Sequence, residues 1–349
     1  NPPAVATVEL NVVSSPQLSF IRMLDGSNGW GVTDESVVRT EDGGKTWLDV
    51  TPAGVTTLGY GTAGSFLSQA LAFVLVGDPT NPAANATLYR TSDGGVSWTF
   101  NQVPFGSGDL HFLDEENGWI MVNLGVAAGS NAVSVYQTGD GGETWKRMFT
   151  NDPTVDGAAD SLPLGGLKNA LVPLDMKTAW VSGVIYAPDT LYLYRTDDGG
   201  GNWSQVIVDL SEKATGSELS ITAFQLVSPT AGYVAVNYYE DTLQTMLYVT
   251  RDGGQTWTLT PTNILNGTAV DFVSDADGFI FDGEGFQVTH DAGSTWSSVK
   301  PDVSFTDSFM SMDFVSPQVG WVLAMDSSTS AIQLYRTEDG GQTWSLLSE

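Results

Sequence analysis

The chain has 349 residues, 41 acidic against 13 basic, a net charge of −28 at pH 7 and no cysteine. Self-repulsion on that scale excludes nucleic acid and an anionic membrane surface as partners, and the missing thiols exclude disulfides and thiolate metal sites. A hydrophobic fraction of 41% supplies a core, and no apolar run is long enough to span a bilayer.

Segment 1–6 opens on Asn1-Pro2-Pro3 and reads as a short lead-in, with the start of a processed export product rather than an initiator Met. Export to an extracellular, cell-surface or periplasmic site is the expectation, and the lack of cysteine fits an oxidising compartment. The apolar alternation at 8–13 predicts one extra strand, available to a sheet edge. Asn85, Asn202 and Asn266 head tripeptides that match glycosylation acceptors.

From 17 onward one signature recurs seven times: Thr, any residue, Asp, Gly or Ala, Gly, any residue, a small polar residue, Trp. The Asp residues are Asp42, Asp93, Asp140, Asp198, Asp252, Asp291 and Asp339. The Trp residues are Trp47, Trp98, Trp145, Trp203, Trp257, Trp296 and Trp344. Gaps of 51, 47, 58, 54, 39 and 48 residues make each unit one small sheet, the period of a propeller or solenoid array.

Within each unit the elements follow a fixed order. A first strand is predicted at 19–24, 110–113, 223–227, 270–273 and 310–315, then a turn, then Gly or Ala before an aromatic: Trp30, Trp119, Trp180, Tyr233, Phe279 and Trp321. The second unit lacks that pair and offers the apolar run 71–76. A second strand starts at the aromatic, a third approaches the box, and a fourth begins at the box Trp. No 3.6-residue periodicity interrupts them. The predicted fold is therefore all-β: a seven-bladed β-propeller of four-stranded antiparallel blades with Asp-box turns. Residues 1–16 form the lead-in with its extra strand, and 17–349 a single propeller domain, with a monomer expected.

Alternating strand directions divide the disc into two faces. First-to-second turns and boxes share one face; second-to-third loops and the connections between blades share the other. Irregular segments at 51–64, 77–86, 127–131, 150–167, 209–218 and 327–330 make the second face variable, and binding is expected there. Its candidate residues are Tyr60, Asp78, Asp156, Asp160, Tyr186, Asp189, Tyr239, Asp241, Asp282 and Glu284.

The box itself reads as a turn. Gly supplies positive φ, the Asp accepts backbone N–H groups, and the Trp is expected to bury between blades. Seven equivalent sites argue against a single catalytic Asp.

These boxes resemble the Asp-box, or bacterial neuraminidase, repeats of sialidases, xyloglucan-cleaving hydrolases, sortilin-type receptors and photosystem II stability and assembly factors. The DGGxTW form with its preceding Gly-Trp strand is most similar to the last group. The resemblance implies the propeller and a protein-binding scaffold, although the acidity of this chain differs from the basic patch expected of such a factor. For sialidases it implies three arginines on the substrate carboxylate. Of the seven here, Arg39, Arg90, Arg195 and Arg336 sit three residues before a box Asp and Arg251 one before, leaving Arg22 and Arg147. Sialidase activity is not expected, although Phe20-Ile-Arg-Met23 echoes a sialidase signature.

The leading expectation is a non-catalytic exported scaffold that binds a protein or glycan on the loop-rich face. The alternative is a glycoside hydrolase on neutral polysaccharide, which needs two carboxylates flanking the scissile bond. All eleven Trp are accounted for by the two signatures, so only Tyr60, Tyr186, Tyr238 and Tyr239 are left as sugar platforms. Two histidines, His111 and His290, give little basis for His catalysis. No cofactor is expected. Asp275-Ala-Asp277-Gly278 with Asp282 and Glu284 leaves Ca²⁺ open, without the twelve-residue pattern of an EF-hand.

Overall fold

The computed structural model describes residues 4–7, 10–58, 61–78 and 84–347, the first four as backbone only. Each box-bearing repeat is a four-stranded antiparallel meander. In the first, Phe20–Met23, Gly29–Val32, Val37–Thr40 and Trp47–Asp49 pair in sequence order. In the third, Asp109–Phe112, Gly118–Ala127, Ser130–Thr138 and Lys146–Thr150 do the same with a longer central hairpin. Middle strands such as Gly29–Val32 and Val37–Thr40 are buried along their whole length, because a neighbouring meander covers each face.

First strands of successive repeats meet around an axis, and the seventh, Phe309–Phe314, returns to touch Phe20–Met23 of the first. The array is thus a closed all-β propeller of four-stranded blades. Regular helix among the described residues amounts to one 3₁₀ turn, Glu212–Ala214, capped by the Ser211 hydroxyl.

The expectation of seven separate sheets is corrected. The strands form six hydrogen-bonded sheets, one of nine strands that joins the fourth and fifth repeats. The second strand of the fourth repeat, Ala179–Pro188, outruns its partner Leu193–Thr196, and its free end pairs with Glu218–Leu226, Val184 opposite Ser220 and Pro188 opposite Glu218. A backbone edge that extends beyond one ladder finds donors and acceptors on the next.

The single extra strand expected at 8–13 is also corrected. Two strands are present: Ala4–Thr7 pairs with Ser97–Gln102 of the second repeat, and Asn11–Val13 with Trp47–Asp49 of the first. Each adds a fifth strand at an outer edge.

Aromatic side chains bind neighbouring repeats. The second-strand aromatic of one repeat stacks on the first-strand aromatic of the next: Trp30 on Phe66, Phe73 on Phe112, Tyr233 on Phe272 and Phe279 on Phe314. Such pairs contribute about 0.5–1.5 kcal/mol beyond their area. Box Trp rings meet the same stacks edge-on, as Trp145 meets Phe112, Trp296 meets Phe272 and Trp344 meets Phe314. The Gly before the second-strand aromatic follows from this packing. A Cβ on Gly278 would lie 2.4 Å from the Phe272 ring, and one on Gly320 would lie 2.3 Å from the Phe314 ring.

Candidate functional site

On the box face the Asp carboxylates bind their own turns. Asp252 accepts the N–H groups of Gln255 and Thr256 at 3.0 and 2.9 Å, and the hydroxyls of Thr256 and Thr250 at 2.6 and 2.8 Å. The Thr256 hydroxyl and N–H, opposed by slight desolvation, hold this carboxylate down at about 2. Asp42, Asp93, Asp140, Asp198, Asp291 and Asp339 each accept equivalent bonds. In the fourth box the Asn202 amide replaces the hydroxyl, and in the sixth Ala292 takes the left-handed conformation at φ 59°.

The residue after each Asp donates its N–H to the first-to-second turn of its own repeat, as Gly43 does to Ser27 O at 2.7 Å and Ala292 to Ala276 O at 2.8 Å. Boxes and first turns therefore share a face. Trp47, Trp98, Trp203 and Trp344 are buried, and Trp145, Trp257 and Trp296 partly so. Trp98 Nε1 donates to Val50 O of the preceding repeat.

The arginines do not converge. Arg39, Arg195 and Arg336 pair with Glu41, Asp197 and Glu338 beside their own boxes, and Arg90 with Glu115. Arg195 and Arg336 also lie over the rings of Trp180 and Trp321. Of the three that remain, Arg22 lies beside Asp313 and Arg147 donates to Asp156 O, so only Arg251 is left and no trio clasps one carboxylate.

A polar ring lines the axis, and the sequence reading did not identify it. The first strands run side by side without a backbone ladder, so their inner N–H groups need side-chain acceptors. Ser65 accepts from Phe112 at 2.9 Å, Gln225 from Phe272 at 2.8 Å, Asp271 from Phe314 at 2.6 Å, and Asp313 from Met23. Each acceptor caps the residue one position further along in the next repeat. Asp109 caps Leu171 at 2.7 Å while its other oxygen meets His111 Nε2 at 2.7 Å.

Arg22, Gln225 and Asp271 line a polar cavity on the axis, toward the box face. Arg22 Nη1 lies 3.7 Å from Asp313. Burial raises both carboxyls, Asp313 to about 7, with Arg22 and the Met23 N–H opposing and Asp271 reinforcing the shift. The signal was present in the sequence: Val270-Asp-Phe-Val273 and Met312-Asp-Phe-Val315 each place a carboxylate inside an otherwise apolar strand.

The loop-rich face holds the remaining candidates, which do not form one cluster. Tyr60 lies outside the described residues. Asp78 is exposed in the second repeat. Asp156 and Asp160 are exposed in the connection after the third repeat, where Asp156 O accepts Arg147 Nη2 at 2.9 Å. Asp282 is a turn residue, accepting Glu284 N and Gly285 N at 3.0 and 2.8 Å. Asp275 and Asp277 sit in a first turn on the opposite face, separated from Asp282 and Glu284 by strand Gly278–Phe281, so those four carboxylates do not form one oxygen cage. Among the described residues no group of three or more His, Cys, Asp or Glu is placed to hold a metal.

Tyr186 and Tyr239 are 60% and 71% exposed, whereas Tyr238 is buried with its hydroxyl accepting from the Asn263 amide. Asp189 and Asp241 are exposed at the hairpin ends next to these two tyrosines. Asp189, at φ 58°, accepts Gly216 N and donates its own N–H to Ser217 O.

The third and fourth repeats are tied below this surface by Lys168. Its ammonium is buried and donates to Asn131 O, Leu164 O and Gly166 O at 2.9, 2.9 and 3.0 Å. Burial lowers its pKa to about 8, and the carbonyls act in the opposite sense, favouring the charged form.

Comparison with known proteins agrees with this architecture. The family model for the BNR/Asp-box repeat matches residues 248–259. A xyloglucanase of Hypocrea jecorina (strain QM6a) is 23% identical over 301 residues, which is 78% of this chain; the chain spans 30% of that relative's length. Among solved structures, YCF48 bound to D1 peptide superposes with a TM-score of 0.57 at 17% identity, covering 96% of this chain and 99% of that one. A GH74 xyloglucanase from Xanthomonas campestris gives 0.61 at 12% identity, with 100% of this chain and 56% of that one covered. No described helix is long and apolar enough to cross a membrane. The chain is thus a β-propeller whose seven box turns share one bonding pattern, and the turn at 248–259 matches the BNR/Asp-box repeat.

Proposed function

We propose that this chain is a non-catalytic, exported binding propeller that receives a protein on its loop-rich face. Counting one blade per box gives seven, with the nine-stranded sheet as two blades laced together, in one domain spanning 17–349. The observation that carries the reading is the contrast between faces. Box-face carboxylates are occupied by their own turns, while the loop-rich face leaves Tyr186 and Tyr239 exposed on long hairpins. The two carboxyls that burial raises, Asp271 and Asp313, are engaged in capping backbone N–H groups on the axis. The correspondence of 96% of this chain with YCF48 bound to D1 peptide supports the same reading.

Glycoside hydrolysis of a neutral polysaccharide is the second reading, favoured by the xyloglucanase relative. Incubating the purified chain with neutral and acidic polysaccharides, with and without Ca²⁺, separates the two. We expect no new reducing ends from any member. Cleavage that disappears on replacing one loop-face carboxylate by Ala, with thermal stability unchanged, would establish the hydrolase instead.

A further inference from the structure

Three consecutive repeats carry hairpins that extend beyond the others on the loop-rich face. They are Gly118–Ala127 with Ser130–Thr138, the end of Ala179–Pro188, and Gly232–Tyr239 with Leu243–Thr250. Their ends are fixed to one another. Gly166 N donates to Gly129 O at 2.9 Å, and Asn131 N donates to Leu164 O at 3.0 Å. The Tyr186 ring lies against Gly129, 3.4 Å from where a Cβ would stand. Asp189 N donates to Ser217 O at 3.0 Å, and the Ser217 hydroxyl donates to Tyr239 O at 3.3 Å. These contacts and the Lys168 cage make the third to fifth repeats one continuous platform.

The platform is apolar at its crests and acidic around them. Leu124, Val126, Leu164, Tyr186 and Tyr239 are exposed by 43%, 57%, 38%, 60% and 71%. Asp160, Asp189, Glu218, Glu240 and Asp241 are exposed beside them. Nearby cations are few: Lys168 is buried, Arg147 is bonded to Asp156 O, and Lys213 is exposed. Exposed apolar groups gathered on one rigid surface mark an interaction site, and the sign of the surrounding charge selects the partner.

We infer that this platform docks a cationic polypeptide segment in which Lys or Arg alternates with large apolar side chains. The apolar residues cover Tyr186, Tyr239 and the Leu124–Val126 hairpin, and the cations meet Asp189, Glu240 and Asp241. The inference rests on the protein-binding reading above and specifies its partner. A raised platform of hairpin ends, with aliphatic residues beside the tyrosines, suits a polypeptide better than a sugar chain, which favours an aromatic-floored cleft.

The test is selection of a random dodecapeptide display library on the full chain, with the winners synthesised and titrated by fluorescence polarisation. Three variants are compared at equal folded fraction: Tyr186→Ser with Tyr239→Ser, Asp189→Asn with Glu240→Gln and Asp241→Asn, and the box-face control Glu116→Gln with Glu143→Gln. We expect winners rich in Lys or Arg beside Leu, Phe or Trp, weakened at least tenfold by the tyrosine pair at any salt concentration. The acidic triple should weaken them about fivefold at low salt and little at high salt, and the control should leave them unchanged. Winners that are acidic or neutral, or that map to other loops of the same face, would overturn this inference and leave the binding reading standing. Winners indifferent to every loop-face change would overturn both. Glycan-array binding lost in the tyrosine pair, with no peptide selected, would replace the polypeptide by a carbohydrate.

Discussion

The Asp313 carboxylate accepts the backbone N–H of Met23, a residue 290 positions earlier in the chain. Around this bond Trp321 Nε1 donates to Gly43 O at 2.9 Å, Arg336 Nη2 to Gly26 O at 3.1 Å, and Ile332 N to the Gln17 side chain at 2.8 Å. Ring closure is thus reinforced by side chains that reach across the junction, three from the last repeat and one, Gln17, from the first. Asp313→Ala leaves the Met23 N–H without its acceptor and should cost about 1–3 kcal/mol in chemical denaturation. A loss below about 0.5 kcal/mol would show that the bond contributes little to closure.

The same carboxyl should leave a pH signature. Its folded pKa is raised to about 7, against about 4 in an unfolded chain. Between those values the unfolded state is ionised while the native state keeps its proton, so the native state binds more protons and stability falls as pH rises. The contribution is complete below about pH 4 and gone above about pH 7. Relative to Asp313→Asn, the wild type should lose stability from pH 4 to 7 and run parallel from 7 to 9. Parallel curves across the whole range would refute a raised pKa.

Box carboxylates should act with the opposite sign. Asp252 is held at about 2, so its contribution is present above about pH 4 and is lost as pH falls through 2. Asp252→Ala should lower stability by roughly 1 kcal/mol at neutral pH, a modest value because the site is exposed. Melting curves of mutant and wild type should converge toward pH 2. A persistent gap there would assign the effect to something other than the charge.

Gly278 gives a packing test. The Phe272 ring occupies the place of its Cβ, so Gly278→Ala should destabilise by about 1–3 kcal/mol through displacement of the Phe272–Tyr233 stack. Gly54, where a Cβ meets nothing within 4 Å, has φ 88°, so its substitution would report backbone strain rather than crowding. Similar losses at the two positions with unchanged near-ultraviolet circular dichroism would argue against ring displacement at Gly278.

Lys168 links the hairpin of the third repeat to the start of the fourth. Lys168→Met keeps the stem but removes the donors from three carbonyls, and should cost about 2–4 kcal/mol, more than a surface lysine. Hydrogen exchange should quicken at 129–131 and 164–168 before it does in the first repeat. Uniform quickening would mean that the cage has no local role.

Much of the architecture was legible because box chemistry is local. Thr250, Asp252 and Thr256 satisfy one another within seven residues, so spacing alone located every turn. The axial ring was not read, because its capping bonds join residues 43 to 62 positions apart, and 290 at closure. Asp271 and Asp313 were taken as parts of apolar strands. The sheet shared by the fourth and fifth repeats depends on how far 184–188 extends, which alternation does not encode. Asp277 and Asp282 are close in sequence, but the strand Gly278–Phe281 between them holds them about 16 Å apart on opposite faces, which spacing in the sequence does not reveal.

All four strands of every repeat come from one contiguous stretch of chain. Among the described residues distant segments only add a fifth edge strand, to the first and second repeats, and the seventh is made wholly of Phe309–Phe314, Gly320–Met325, Ile332–Thr337 and Ser345–Leu346. The first and seventh repeats are therefore joined without a covalent connection, while every other adjacent pair also shares the chain. Tension between the two ends of the array loads this junction as a tear line. In an optical trap with handles on the first and seventh repeats themselves, so that the edge strands Ala4–Thr7 and Asn11–Val13 bear no load, the first yielding event should be opening of the ring at that junction, with each blade still folded, and Asp313→Ala should lower its force while leaving later events in place.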